Sequence, residues 1–384
     1  MSRMMIRLSL PLLALVVCSL RAGAGIIYWS DFGPGGEGTG TAGDIRRSAL
    51  DGTNRVILIR NLRSPAGPVL DLADGLMFWA NNAAAGDIEQ ADLDGTIRVT
   101  VIGGLVSPTA PTLDLVHHQM YWADGILTGP GKIERANLDG SGRMTLVTGL
   151  NTPHIIGLDV AGNEMYWADQ QLKDIRRAHL DGTGQEVILR NLSATTGNIT
   201  LDLAAGKMYW TNGNHEIDRA NLDGSALEVV VRDPKVPVVV ALDTANRQMY
   251  WTDYGSGGAD GRIERANLDG SSQTTIVAGL IQPVGISLDL RPLLGDANGD
   301  GKVDFSDLLI LAQNYGKSGT YATADFNGDG SVGFDDLLIL AQNYGTGVAQ
   351  AVAVPEPSSL SFVAFAGCGG MLLVRRRRRF GSRG

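Results

Sequence analysis

The chain has 384 residues, of which 44 % are hydrophobic, and this is enough apolar material for packed cores, so general disorder is excluded. Its 51 glycines lack the every-third-residue spacing of collagen and instead indicate many turns. The formal net charge is −9, and because nine arginines lie in the two end segments, the body between them carries about −18. Such an acidic body repels phosphate backbones, which argues against a nucleic-acid partner.

Residues 1–24 have the composition of a secretory signal peptide. A basic start precedes an apolar run, and Ala22 and Ala24 supply the small residues that cleavage after Ala24 requires. A lipoprotein signal would instead use Cys18, although Val17 before it is bulkier than the small residue such signals prefer. The sequence therefore predicts export.

A six-fold repeat follows, marked by the tryptophans. All six tryptophans of the chain lie in one short recurring phrase, and no tryptophan is left over. The phrases are Tyr28-Trp29-Ser30-Asp31, Phe78-Trp79-Ala80-Asn81, Tyr121-Trp122-Ala123-Asp124, Tyr166-Trp167-Ala168-Asp169, Tyr209-Trp210-Thr211-Asn212 and Tyr250-Trp251-Thr252-Asp253. The period of roughly 43 residues is the length of a four-stranded propeller blade.

Two further phrases accompany the tryptophans. One alternates apolar and polar residues into an Asp-Gly turn, as in Ile133 to Gly140, and indicates a half-buried strand. The other reads Leu-Asp-Leu and precedes each tryptophan phrase except the first, whereas Ile286 to Leu290 is left without a tryptophan phrase after it. If this last strand completes the first blade, no edge remains free, so the sequence predicts a closed all-β propeller of six four-stranded blades.

These phrases resemble the YWTD repeat of the low-density-lipoprotein receptor class B family, over residues 25–291. The resemblance implies a non-catalytic propeller that presents a protein- or glycan-binding surface. It also implies that the acid ending each phrase is mainly structural, namely Asp31, Asp124, Asp169 and Asp253. Asn81 and Asn212 depart from the pattern at this position.

A propeller enzyme of the polysaccharide-degrading, lactonase or lyase type is the alternative. Such enzymes place a metal or a histidine in the central channel, and His154 and His215 are candidates for the channel or its rim. Acids present in nearly every blade favour a structural role, because an active site is asymmetric and a repeat is not. Where the repeats differ, glycine-rich loops follow the tryptophan phrases, and there Phe32 and Tyr254 are candidate aromatic contacts.

After residue 291 the composition changes to a duplicated twelve-residue acidic loop, predicted to span a domain at 292–346. Carboxylate, amide and hydroxyl oxygens recur at the spacing of a calcium loop, with a main-chain carbonyl at the seventh position and water in place of a side chain at Gly333. The predicted ligands of two Ca²⁺ ions are Asp296, Asn298, Asp300, Lys302, Asp304 and Asp307 in the first loop and Asp325, Asn327, Asp329, Ser331 and Asp336 in the second. Each loop continues into Leu-Leu-Ile-Leu-Ala-Gln-Asn-Tyr-Gly, which predicts a short helix over 308–316 and another over 337–345.

A loop followed by a helix, with no helix before it and with Asp at the twelfth position, resembles the type I dockerin. The resemblance implies a paired half EF-hand fold that requires calcium and a cohesin-like protein as partner. In dockerins, loop positions 10 and 11 help to select the cohesin, and here they are Phe305, Ser306, Phe334 and Asp335. Because these differ from the Ser-Thr pair of many cellulosomal dockerins, that specificity is not expected.

The last predicted segment follows a linker at 347–357. Pro355-Glu356-Pro357, a short apolar stretch and five arginines, residues 375–379, resemble the PEP-CTERM sorting tail over 354–379, which implies removal by an exosortase-type enzyme. A simple tail anchor is the alternative, although the stretch is short for a spanning helix. Cys368 lies in this segment and Cys18 in the signal peptide, so the body between them has no disulfide.

Together the segments predict an exported binding or scaffold protein of the cell envelope or extracellular matrix, with no catalytic activity of its own. An enzyme delivered by the docking module is the second hypothesis. A structural matrix element that self-associates through that module is the third.

Overall fold

The computed structural model describes residues 25–33, 43–83, 85–125, 130–194, 196–232, 235–299 and 302–345. The predicted signal peptide, the linker, the sorting tail and Asp300 lie outside these residues. The described strands, in chain order, are β1 Ile26–Asp31, β2 Gly43–Ala49, β3 Val56–Leu62, β4 Pro65–Asp71, β5 Leu76–Asn81, β6 Gly86–Asp92, β7 Val99–Leu105, β8 Thr112–Asp114, β9 Gln119–Asp124, β10 Gly131–Asn137, β11 Met144–Leu150, β12 Gly157–Asp159, β13 Glu164–Asp169, β14 Asp174–His179, β15 Glu186–Leu189, β16 Thr196–Asp202, β17 Lys207–Asn212, β18 Glu216–Asn221, β19 Glu228–Arg232, β20 Pro237–Asp243, β21 Gln248–Asp253, β22 Gly261–Asn267, β23 Thr274–Leu280 and β24 Pro283–Asp289.

These strands form six four-stranded antiparallel sheets, which are the blades of a propeller. The first blade has the order β24-β1-β2-β3, and each later blade consists of four consecutive strands, from β4–β7 to β20–β23. Ile26 pairs with Asp289 and Trp29 with Ile286, so the last strand closes the first blade. The predicted closed six-bladed propeller is confirmed.

The tryptophan phrases form the second strand of every blade and are buried on both faces. All six tryptophan side chains are 0 % exposed. The core clusters lie between neighbouring blades: Ile133 and Val147 of the third blade pack with Met165 and Trp167 of the fourth. Burial of one large aromatic side chain at each blade interface is the main apolar contribution that holds the ring together.

The Asp-Gly turns explain why glycine recurs once in every blade. Gly52 and Gly270 adopt φ of +81° and +83°. A Cβ on Gly52 would lie 2.1 Å from the Ile276 carbonyl oxygen, and one on Gly270 would lie 2.0 Å from that of Val230. Only glycine fits, because these turns pack against the outer strand of the adjacent blade.

The segment after the propeller contains two α-helices and a 3-10 turn, which are α1 Phe305–Asn314, α2 Phe334–Asn343 and a turn at Tyr321–Thr323. Both α-helices begin three residues before the predicted start and end before the predicted glycine. The reason is the cap: Asp304 accepts the Ser306 N–H, and Asp307 accepts the Asp304 N–H at 2.9 Å, so the end of the calcium loop already forms the first helical turn.

Candidate calcium and docking site

Two buried carboxylates organise the first calcium loop. Asp296 at its start accepts the Gly299 N–H at 2.7 Å. Asp307 at its end accepts the N–H groups of Ala297 at 2.9 Å and Asn298 at 3.2 Å on one oxygen. Asp296 is 1 % exposed and Asp307 is 0 % exposed, so the two ends of the loop are drawn together by main-chain hydrogen bonds.

The second loop repeats this arrangement. Asp325 accepts N–H groups from Gly328 at 2.9 Å and Gly330 at 3.0 Å. Asp336 accepts those of Phe326 at 2.7 Å and Asn327 at 3.2 Å. The two loops therefore share one geometry, as their sequence duplication predicts.

The remaining predicted ligands occupy less buried positions. Asn327 donates from its side chain to Asp329 at 2.9 Å, and Ser331 donates its hydroxyl to the same carboxylate at 2.8 Å. All three of these residues are exposed, whereas Asn298, Lys302 and Asp304 of the first loop are half-buried. These hydrogen bonds hold the pKa of Asp329 below its usual value, which keeps an ionised oxygen donor in the loop.

The donor set fits a hard divalent cation. Within the described residues, no three His, Cys, Asp or Glu side chains stand close enough to hold a metal by themselves. Calcium loops, however, also use amide, hydroxyl and main-chain oxygens. Asp307, Asp325 and Asp336 are at most 4 % exposed, and in the described part of the chain no ion pair joins them to a base. Buried carboxylates without a basic partner are costly, and a bound cation removes that cost.

A main-chain hydrogen bond links the eighth residue of each loop to the glycine that follows the helix of the other copy. Gly316, after α1, donates its N–H to Val332 of the second loop, and Gly345, after α2, donates to Val303 of the first, both at 2.8 Å. Val303 and Val332 are buried in one small core together with Leu311 and Leu340 of the helices. A change at one loop therefore acts on the helix that follows the other.

The predicted partner-binding residues lie on the surface. Phe305 and Phe334 are each 67 % exposed, and Ser306 and Asp335 are exposed beside them. The duplication also exposes pairs that the sequence analysis did not name, which are Leu309 with Leu338 and Tyr315 with Tyr344, all 46 to 51 % exposed. Their spacing of 29 residues was the signal that could have found them.

In the propeller, the acids that end four tryptophan phrases hold the loop that enters the blade. Asp124 accepts main-chain N–H groups from Val106 at 2.9 Å and Ser107 at 2.8 Å. Asp31 accepts that of Ile281 at 3.1 Å, from the loop before the closing strand. Equivalent bonds reach Asp169 and Asp253. The predicted structural role of these aspartates is confirmed.

Asn81 and Asn212 also make a contact that an ionised aspartate cannot make. The Asn81 side-chain amide donates to Asp87 at 2.6 Å and to Glu89 at 2.9 Å. The Asn212 amide donates to Asp218 at 2.7 Å and to Glu216 at 3.2 Å. The second and fifth blades thus place a neutral donor between two acids of the third strand.

The histidines proposed for the enzyme alternative do not line the central cavity. His154 lies before β12, where burial lowers its pKa and hydrogen bonds with Gln170 and Asn198 oppose that shift. His215 lies in the turn after β17 with φ of +64°. The prediction that Phe32 is a surface contact is wrong, because this ring is 4 % exposed and packs edge-on against Tyr254 at 6.3 Å.

Comparison with known proteins agrees with this division of the chain. Residues 294–343 match the dockerin type I domain family. The predicted dockerin domain and its two helices are confirmed, while the assigned calcium ligands stay a prediction. Dockerin type I domains bind calcium and cohesins.

The propeller has relatives of a different kind. An 86-residue part of the chain is 33 % identical to low-density lipoprotein receptor-related protein 5 of Mus musculus, covering 21 % of this chain and 5 % of that protein. A chain from the crystal structure of a nidogen/laminin complex superposes with a TM-score of 0.58 at 21 % identity, over 70 % of this chain and 99 % of that one. A TolB-like protein from Agrobacterium tumefaciens gives 0.52 at 11 % identity, over 70 % and 99 %. The structural matches establish the propeller fold alone.

No helix in the described part of the chain has both the length and the apolar character needed to cross a membrane.

Proposed function

We propose that the protein is an exported, non-catalytic binding protein, which its dockerin domain attaches to a cohesin-like partner in a calcium-dependent way. The observation that carries this proposal is the matched exposure of Phe305 and Phe334, next to two loops whose buried acids a bound cation would neutralise. Large apolar side chains on a small acidic domain mark a contact surface.

The chemistry of that surface indicates what the partner presents. Phe305 and Leu309 lie four residues apart on one face of α1, and Phe334 and Leu338 occupy the same positions of α2. The partner therefore offers an apolar patch that accepts an aromatic ring. Acids beside the helices, such as Asp335, favour a basic rim around that patch.

Two features of the propeller support the absence of catalysis. The aspartates that end the tryptophan phrase in four blades accept main-chain N–H groups, as Asp124 and Asp31 do, so they already have a structural role. The central cavity is lined by uncharged residues, with no acid, base or nucleophilic cysteine. The propeller in this proposal is a recognition surface for a protein or glycan.

Calcium binding is tested on the full chain by calorimetry after removal of bound metal. We expect two ions for the wild-type protein and one for Asp336→Asn, since Asp336 closes the second loop. Asp335→Asn is the matched control, because Asp335 is next to Asp336 but is exposed and is not an assigned ligand. This variant should retain two ions. Loss of an ion in both variants, or in neither, would contradict the assigned ligands.

Docking is tested with immobilised type I cohesins in calcium and in chelator. The double variant Phe305→Ala/Phe334→Ala should weaken binding at least tenfold, while Leu227→Ala, which removes an exposed apolar side chain from the propeller, should not. Binding that is insensitive to the chelator and to the double variant would contradict the proposal.

Export and sorting belong to the same proposal and rest on the sequence of the two ends. An exosortase-type enzyme is the proposed partner of the tail. Mass spectrometry of the protein isolated from its own cells tests this, with a mature chain that begins at Gly25 and lacks the arginine cluster as the expected result. A full-length product would contradict processing at both ends.

A further inference from the structure

The axis of the propeller contains a cavity of 430 Å³. This volume lies in the range of small-molecule sites, roughly 300–1,000 Å³. Apolar side chains from all six blades line it, including Ile286, Val69, Pro111, Ile156, Ile199 and Val240. No charged side chain is among the lining residues.

The few hydroxyl groups in the wall already have partners. Thr112 donates to the Ile156 carbonyl and Thr200 to that of Val240, both at 2.6 Å, while Ser287 donates to the Pro68 carbonyl at 2.7 Å. Each of these bonds joins one blade to the next. The side-chain hydroxyls of the wall are therefore already used, and the polar groups left in it are main-chain groups on the open edges of the inner strands.

At one end the cavity continues into an apolar rim, here called the leucine collar. The inner strand of each blade, which is the one nearest the axis, ends at an aspartate, and the collar consists of the residues that follow these aspartates. They are Leu72, Leu115, Val160, Leu203, Leu290 and Thr244, one from each blade. Leu115, Leu203 and Leu290 are 40, 45 and 36 % exposed. Leu72, Leu203 and Leu290 also line the cavity, so apolar surface runs without a break from solvent to the axis.

The charges around this mouth are complementary to a neutral or cationic group. Six aspartates precede the collar, one in each blade, and form a ring of carboxylates: Asp71, Asp114, Asp202, Asp243 and Asp289 are nearly fully buried, and Asp159 is half-buried. Two of them have a basic neighbour: Arg291 pairs with Asp289 at 2.8 Å and His117 contacts Asp114 at 2.7 Å. An anionic head group would meet net negative charge at this position.

We propose that the central channel of the propeller binds the uncharged aliphatic chain of a ligand, which enters past the leucine collar with a neutral or cationic head group at the mouth. The apolar wall binds the chain by removing it from water. The ring of aspartates selects against fatty-acid anions.

The test titrates 1-hexanol, 1-octanol and 1-decanol, and separately decanoate, into the full calcium-loaded chain by calorimetry. We expect one site, an affinity that rises about three- to fourfold for each added methylene, and weaker binding of decanoate than of 1-decanol. No binding of 1-decanol to the folded protein, or tighter binding of decanoate, would overturn the proposal.

Variants locate the site. Ala241→Phe fills the cavity and should abolish 1-decanol binding, while Ala278→Phe, on the exposed outer strand β23, should leave it unchanged. A second pair avoids changes in the core: Leu203→Asp at the collar should weaken binding at least tenfold, whereas Leu227→Asp, at a site 50 % exposed on an outer turn, should not. Unchanged binding in Leu203→Asp would overturn the proposal even if Ala241→Phe does not fold.

Discussion

Four blades end their tryptophan phrase in aspartate and two end it in asparagine. The two kinds of blade differ in the charges that surround this residue. In the aspartate blades, two residues of the third strand lie opposite the aspartate and the tryptophan, and one of the two is basic. In the sixth blade this base is Arg262, which contacts Asp253 at 3.1 Å. In the second blade these positions hold Asp87 and Glu89, and in the fifth Glu216 and Asp218. The three positions therefore act as one electrostatic unit, because a blade that has no base there also has no aspartate at the end of its tryptophan phrase, and so avoids three adjacent carboxylates.

In the second and fifth blades, the asparagine affects the pKa of an acid next to it. Burial raises the pKa of Asp87 and of Asp218, and the hydrogen bond from the asparagine opposes the shift in each case. Arg98 adds a fork of hydrogen bonds to Glu89, both at 3.0 Å. Two acids with no base at either position thus depend on a neutral donor and, in the second blade, on an arginine from outside the strand.

The largest expected effect comes from breaking this balance with Asn81→Asp. A third carboxylate would replace a donor that now lies 2.6 Å from Asp87 and 2.9 Å from Glu89. We expect a loss of roughly 3–5 kcal/mol in the free energy of unfolding at pH 7, measured by urea denaturation. The loss should shrink at acidic pH, where protonation removes the repulsion.

Asn191→Asp is the control for that variant, since it makes the same chemical change at an exposed position. It should alter stability by less than about 0.5 kcal/mol. Equal losses in the two variants would show that the amide of Asn81 has no special electrostatic role.

A smaller effect is expected when the sixth blade is converted to the asparagine pattern. Arg262→Glu alone places a third acid beside Asp253 and Glu264 and should destabilise strongly. Asp253→Asn combined with Arg262→Glu gives the sixth blade one asparagine and two acids at these positions, so the pair should recover about 2 kcal/mol relative to the sum of the single changes. Additive losses in the double-mutant cycle would contradict a shared electrostatic unit.

The smallest expected effect concerns the first blade and pH. Burial, as the largest cause, raises the pKa of Asp31 to about 6, although hydrogen bonds from Gly33 and Ile281 and the charge of Arg46 oppose it. A raised carboxyl pKa means that the folded state binds the proton more tightly than the unfolded state. This group therefore lowers stability as pH rises from about 4 through 6.

Asp31→Asn should remove that contribution. The wild-type protein should lose roughly 1–2 kcal/mol more than the variant between pH 4 and pH 7, measured by thermal unfolding at fixed ionic strength. Identical pH profiles would show that Asp31 titrates in its ordinary range.

Much of the propeller was predictable because each blade repeats its buried tryptophan strand, and because Ile286 to Leu290 had no tryptophan phrase of its own. The charge units were also present in the sequence, but finding them requires the register that pairs Asp253 with Arg262 and Asn81 with Asp87. The burial of Phe32 could not be predicted, since it depends on the contact with Tyr254 across the closure of the ring.

In the dockerin domain, the spacing assigned Asp307 and Asp336 as the last ligand of each loop, and both are 0 % exposed, which the sequence did not predict. The helix starts were missed because residues 305–307 belong to the loop and the helix at once. The exchange of bonds between Gly316 and Val332 and between Gly345 and Val303 joins residues of different copies, and local patterns do not report such a pairing.

The pairing of β24 with β1 also decides how the molecule carries mechanical load. Ile26 lies opposite Asp289, so the two ends of the propeller leave the same end of one ladder. A force that separates these two ends would break the hydrogen bonds between β1 and β24 one after another, and would not load all of them at the same time.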